Sequence, residues 1–210
     1  MANVCTFVVY ATLGASTFYL ALYLQSAAVG YTPVRASLVF IPISVIMFFL
    51  AARFGRLADR DGPRTYLTLG PMVMAAGMVL FLLVTSTNLA QVVPGMVVFA
   101  LGLSILVAPI TSTALKAAPA RYSGLAAGVN TTVSRMGGLI ATPLLGVIIS
   151  LVFATRTGGN GADPFATTGL GPDGQAAAVA AFRVATIVAA ALCAGGGLIA
   201  WAFLPRGRLE

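Results

Sequence analysis

Hydrophobic residues in this chain come in long blocks, with nearly all of the charge confined to the short stretches between them. A helix needs roughly 20 mostly apolar residues to cross the hydrocarbon core of a bilayer, and every backbone polar group must be satisfied within the crossing. Blocks of that length predict membrane spans, and the charges mark their ends. No charged residue occurs from Met1 to Val34, and the apolar density there predicts a first span over 4–26. The second fills 35–54, between Arg35 and Arg53. Between Arg64 and Lys116 the uncharged stretch is too long for one crossing, and it is broken near Ser86-Thr87-Asn88-Leu89-Ala90-Gln91, a polar, turn-like cluster. It predicts a tight hairpin of two spans, 65–85 and 91–115. A fifth span covers 123–154 and a sixth 179–204, with a longer loop rich in Gly, Asp and Pro over 155–178.

The first block has one competing explanation, because Ser26-Ala27-Ala28 offers small residues suited to signal cleavage. The segment before it carries no Lys or Arg, and the apolar run exceeds the roughly 7–15 residues of a signal sequence. It is read as a retained span.

Composition sharpens the picture. The chain is 59% hydrophobic and 8% charged, whereas soluble domains are about a quarter charged. Too little polar surface remains to cover a water-soluble globule, so the medium around most side chains is lipid. The formal charge of +7 raises nucleic acid as a partner, but the twelve basic residues form islands at block ends and no basic face. No nucleic-acid partner is expected. Cys5 and Cys193 fall inside apolar runs, where a thiol behaves as a small hydrophobe. With no His, no acidic cluster and no paired-cysteine motif, no metal site, cofactor or catalytic constellation is expected, and an enzyme is disfavoured.

The loops set an orientation. Arg53, Arg56, Arg60 and Arg64 lie between spans two and three, Lys116 and Arg121 between four and five, and Arg206 and Arg208 after six. In a six-span serpentine all three groups share one side, which the positive-inside rule makes cytoplasmic. The connections 54–64 and 116–122 are then cytoplasmic, as are both termini, and 155–178 is external.

The second connection also carries a motif. Gly55-Arg56-Leu57-Ala58-Asp59-Arg60-Asp61-Gly62-Pro63-Arg64 fits GxxxDxxGxR. Gly55 allows two helices to approach closely at the membrane surface, and Gly62 with Pro63 makes the turn into the third span. Asp59 can accept from an arginine or a helix N-terminus, a contact able to latch one conformation and release another. The candidate conformational motif is therefore Gly55, Asp59, Arg60, Gly62 and Arg64. Flanking signals are Tyr23-Leu24-Gln25, Gly30-Tyr31-Thr32-Pro33, Ile41-Pro42, Gly124-Leu125-Ala126-Ala127-Gly128-Val129-Asn130 and Arg135-Met136-Gly137-Gly138. Together these residues resemble the major facilitator superfamily, and specifically the C-terminal six-helix half of a fourteen-span drug:proton antiporter. The resemblance implies an all-α membrane protein, six transmembrane helices arranged as two three-helix repeats, working by alternating access in a cell membrane. It also implies export of small hydrophobic or cationic substrates.

Polar residues within spans mark faces turned to protein or water. Thr12, Ser16, Tyr19, Tyr23 and Ser26 share one face of span one, with Gln25 at its end. Span five offers Asn130, Ser134, Gly137 and Ala141, span two Ser37 and Ser44, and span four Ser104 and Thr111. The substrate-path candidates are Thr12, Ser16, Tyr19, Tyr23, Gln25, Ser44, Ser104, Thr111, Asn130 and Ser134. The other reading of the same stripe is packing, since Ser, Thr and Gly let helices approach in lipid; Gly124 with Gly128 fits that role. Spans three and six hold almost nothing polar and read as lipid-facing, which agrees with the outer position the resemblance implies for them. Pro94, Pro109 and Pro143 lie within spans and are expected to bend them.

No Asp or Glu falls within a predicted span: Asp59, Asp61, Asp163, Asp173 and Glu210 lie in loops or the tail. A proton-coupled transporter needs a protonatable group near the midplane, so another polypeptide segment must supply it. The expected partner is an N-terminal transporter half, or a second copy of this chain. Arg135 is the one charge within the interior of a predicted span rather than near its end, either snorkelling to the interface or serving the path. The alternative function is a truncated or regulatory membrane protein that does not transport and associates with a partner transporter.

The shared sidedness is testable in a Cys5→Ser, Cys193→Ala background. A membrane-impermeant thiol reagent added to intact cells should label Thr167→Cys and leave Leu57→Cys unlabelled until the membrane is opened; labelling of both from outside would break the topology.

Overall fold

A computed structural model of the protein describes residues 2–85, 88–116, 119–159 and 162–203. Ser86, Thr87, Pro205, Arg206, Arg208 and Glu210 lie outside the described residues, so the basic tail after the sixth span does too. Among the described residues the secondary structure is helical with no strand. The helices are α1 (Ala2–Gln25), α2 (Pro33–Leu38), α3 (Ile41–Asp61), α4 (Pro63–Leu80), α5 (Leu89–Lys116), α6 (Ser123–Thr157) and α7 (Pro172–Phe203). With α2 and α3 taken together, six of these units are long and apolar enough to cross a membrane.

Local chemistry sets several boundaries. Thr32 caps α2, its hydroxyl accepting from the Arg35 amide at 3.3 Å, and Pro33 opens the helix. Hydropathy alone predicts one continuous second span, but the helix is interrupted at Val39 and Phe40. Pro42 has no N–H to give the Leu38 carbonyl, which ends one helix and starts the next. At the other end α3 runs through Asp61, so the basic motif is helical and only Gly62 separates α3 from α4. Gly62 sits at φ 95°, where a side chain would be strained, and Pro63 opens α4. The stretch read as loop over 155–178 is shorter than its polarity suggests. Gly158 and Gly159 close α6 at positive φ, and α7 already begins at Pro172, with Asp173 in its first turn favoured by the helix dipole.

The packing has an internal symmetry. α1 packs chiefly on α6 and α5 packs on α3, while α4 and α7 pack on each other. Exchanging the first three spans with the last three converts each of these pairings into another, as two three-helix repeats require. The closest approach is between α4 and α5. A Cβ on Gly70 would come within 2.7 Å of the Leu106 Cβ, and one on Gly77 within 2.7 Å of the Phe99 Cα. Gly95 and Gly102 face them from α5. These four glycines, which the sequence reading passed over, let two backbones meet where lipid offers no hydrophobic drive for association.

Burial runs opposite to the polarity argument. The apolar windows of α5, α7 and α4 are 56%, 50% and 44% buried, against 22% for α6 and 11% for the second span. Spans three and six each bury one face within the bundle and present an apolar face outward, through Leu69, Val79 and Leu83 on one and Ile187, Leu192 and Leu198 on the other. Alanines and glycines such as Ala181, Ala185, Ala189, Gly196 and Gly197 allow this depth, and an interior surrounded by lipid has no need of polar groups. Gly124 and Gly128 meet nothing within 4 Å, so they form no packing seam here.

Gly77→Ala should lower stability by about 1–3 kcal/mol, because the added methyl must push α5 away. Gly124→Ala should be neutral or stabilising by up to about 1 kcal/mol, since its methyl meets open space. Thermal unfolding of the two variants in detergent measures the contrast.

Candidate substrate path

The predicted polar stripe on α1 divides in two. Toward its start, Thr6 donates to the Asn130 Oδ1 at 3.0 Å, a buried bond joining α1 to α6. A turn further on, a Cβ at Gly137 would come within 2.6 Å of the Phe7 carbonyl oxygen, and one at Gly14 within 3.2 Å of the Gly138 Cα. The two helices thus cross on glycine. Tyr19 then donates to the Thr142 carbonyl at 2.8 Å and stacks on Phe165 with ring centroids 5.7 Å apart. Tyr23 points elsewhere. Its hydroxyl donates to the Val84 carbonyl at 2.8 Å, and its ring lies on Phe182 at 3.9 Å and 3°, with no exposed surface. It anchors α1 to the segment just after α4 and to the first half of α7.

Most of the smaller candidates turn back onto their own helices. Thr12 donates to the Val8 carbonyl, Ser104 to Leu101, Thr111 to Val107, Ser134 to Asn130 and the Gln25 amide to Ala21, at 2.7–3.0 Å. Such bonds satisfy the hydroxyl locally and leave little for a ligand. Ser16 differs, because its buried hydroxyl has no partner among the described residues. Ser44 stands exposed on α3.

Two clefts flank the α1–α6 crossing. One, of about 440 Å³, is walled by apolar side chains of α1, α6 and α7, among them Phe7, Val8, Leu144, Val188 and Leu192. The other, of about 520 Å³, is lined by Gly14, Arg135, Gly138, Leu139, Thr142 and Pro143. Gly14 is the twelfth of the 23 residues in the first span, about 16 Å from either end at 1.5 Å per residue. The second cleft therefore lies near mid-depth. Arg135 is twelve residues into α6, about 18 Å from its first residue. A cation that faces hydrocarbon near a helix centre costs roughly 2.5–3.5 kcal/mol, a cost that protein or water against this face removes.

At the motif end, Gly55 fits closely on α5, where a Cβ would come within 3.0 Å of the Ala108 Cβ. Arg64 donates to the Trp201 carbonyl in the last turns of α7, and its guanidinium lies 5.5 Å from the centre of the Trp201 ring. Tyr66 donates to Asp61 at 3.1 Å. The motif is thus tied to the end of the sixth span, a connection invisible in its local spacing. At the opposite end of α4 and α7, the Arg183 Nε donates to the Leu82 carbonyl at 3.2 Å.

Six membrane-crossing helices in two packed repeats, with a charged cleft at mid-depth, define a multi-span membrane protein of the transporter class. Residues 1–142 match the Major Facilitator Superfamily, and the chain belongs to that family. It is 28% identical over 152 residues to the multidrug resistance protein Stp of Mycobacterium tuberculosis, covering 71% of this chain and 27% of that protein. Against the multidrug efflux pump LfrA of Mycolicibacterium smegmatis it is 27% identical over 176 residues, 83% of this chain and 33% of the pump. A probable actinorhodin transporter of Streptomyces coelicolor is 31% identical over 134 residues, 61% of this chain and 23% of that protein. The chain spans between about a quarter and a third of the length of these relatives.

Tyr23→Phe should cost about 1 kcal/mol by leaving the Val84 carbonyl unpaired, and Tyr23→Ala about 3–5 kcal/mol through the lost ring. Unfolding in detergent should resolve the two steps; equal stability of all three proteins would contradict the anchoring role.

Proposed function

We propose that this chain supplies the C-terminal six-helix bundle of a drug-efflux antiporter, carrying small apolar compounds across a cell membrane by rocking against a companion bundle. The observation that carries the reading is the mid-depth cleft at the α1–α6 crossing, on a face that the described residues leave open. Support comes also from the multidrug resistance and efflux proteins among its relatives, whose remaining length has room for a companion bundle. Alternating access needs helices that pivot without breaking polar contacts, and a crossing built on Gly14, Gly137 and Gly138 offers a smooth fulcrum. Tyr19 and Asn130 brace that crossing, and Ser134, Thr12, Ser16, Ser104 and Thr111 lie on the neighbouring helix faces.

The coupling carboxylate is assigned to the companion bundle, since no span of this chain holds Asp or Glu in its apolar part. The motif Gly55, Asp59, Arg60, Gly62 and Arg64 is assigned the role of conformational latch, acting on α7 through the Arg64 contact with Trp201. The basic turn at Gly62 and both termini are assigned to the cytoplasmic side, in line with the arginines gathered there.

In pump-deficient cells, co-expression of the chain with a companion N-terminal bundle should raise resistance to a panel of apolar drugs several-fold, and neither part should do so alone. Unchanged resistance with both parts present in the membrane would instead favour the non-transporting, regulatory alternative.

A further inference from the structure

We infer that Arg135 makes the mid-depth cleft selective for amphiphilic anions, compounds with an apolar body and one carboxylate or comparable negative group, over cations. This rests on the reading of the cleft as part of a substrate path and assigns that path a charge preference opposite to the cationic one implied by resemblance.

The cleft's polar groups are few enough to assign. Arg135 lines it and has neither a carboxylate nor another hydrogen-bonding partner among the described residues. The described acidic residues are Asp59 and Asp61 at the end of α3, Asp163 in the 158–171 loop and Asp173 at the start of α7, none of them lining the cleft. The Thr142 hydroxyl already donates to the Gly138 carbonyl at 2.8 Å, so it can only accept. The Thr142 carbonyl is taken by Tyr19. Pro143 has no N–H, which leaves the Leu139 carbonyl without its helical donor. The guanidinium is therefore the donor-rich group of the cleft, and its planar fork suits a carboxylate held through two parallel bonds. Leu139, Pro143 and the bare backbone at Gly14 and Gly138 offer an apolar bed for the rest of the molecule. The volume of about 520 Å³ falls within the roughly 300–1,000 Å³ of small-molecule sites. A cation entering the same space meets a fixed like charge with no neutralising carboxylate within the span.

Equilibrium binding of 2-naphthoate and its neutral isostere 2-naphthamide to the purified chain in detergent tests the inference. Wild type should prefer the anion by about tenfold or more, equivalent to about 1.4 kcal/mol. Arg135→Gln should erase that preference while naphthamide affinity and the unfolding midpoint stay unchanged, and Arg135→Lys should retain part of it. Equal affinities in wild type, or a preference that survives Arg135→Gln, would overturn the inference and leave the transport reading standing. Failure of wild type to bind either probe would likewise overturn the inference that Arg135 gives this bundle an anion site.

Discussion

Every crossing of this protein must satisfy its own backbone hydrogen bonds, because hydrocarbon has no water to do so. That requirement makes each span a helix before any tertiary contact forms. It also shifts the problem of specificity to the surfaces between helices. Lipid tails are as apolar as leucine, so burying a leucine against another helix gains little, and shape becomes the chief means of recognition. The fold answers with small residues. Gly70 and Gly77 on α4 meet Gly95 and Gly102 on α5, Gly137 and Gly138 on α6 meet α1, and Gly197 on α7 meets α4 at Thr68.

Polar bonds between helices are correspondingly few and placed at particular heights. Thr6 with Asn130 and Tyr19 with the Thr142 carbonyl pin α1 to α6 on either side of the glycine crossing. Tyr23 with the Val84 carbonyl pins the end of α1 to the end of α4. Several other hydroxyls, those of Thr12, Ser104 and Ser134 among them, close on carbonyls of their own helix. A fixed crossing flanked by smooth glycine surface joins rigidity at its two polar pins to low friction between them, a combination suited to a helix pair that must tilt as a unit.

The two ends of the bundle differ in the same economical way. At one, Arg64 reaches the last turns of α7 through the Trp201 carbonyl and ring, so the basic motif and the sixth span share one structural unit. At the other, Arg183 of α7 reaches the Leu82 carbonyl just beyond α4. Each arginine reaches a backbone carbonyl near the C-terminal end of a helix, where a cation is favourably placed. The α4–α7 pair is thereby fastened at both ends while α1 and α6 are fastened along their length.

Much of this was legible before any coordinate. Block length identified six spans, because the thickness of hydrocarbon imposes it directly on the chain. Charge position and the GxxxDxxGxR spacing pointed to the superfamily, because loops and turns are local. Gly62 and Pro63 announced their turn for the same reason. Tertiary structure alone decided which faces meet. It placed Tyr23 in a packing core against Phe182 although it shares a helix face with Tyr19. In lipid both sides of a helix are hydrophobic, so periodicity no longer separates inside from outside. It also placed Arg135 in a cleft beside Gly14 and Gly138, which its position in the chain does not show. The depth of a charge depends on how helices cross, and that crossing is set by glycines more than a hundred residues apart in the chain.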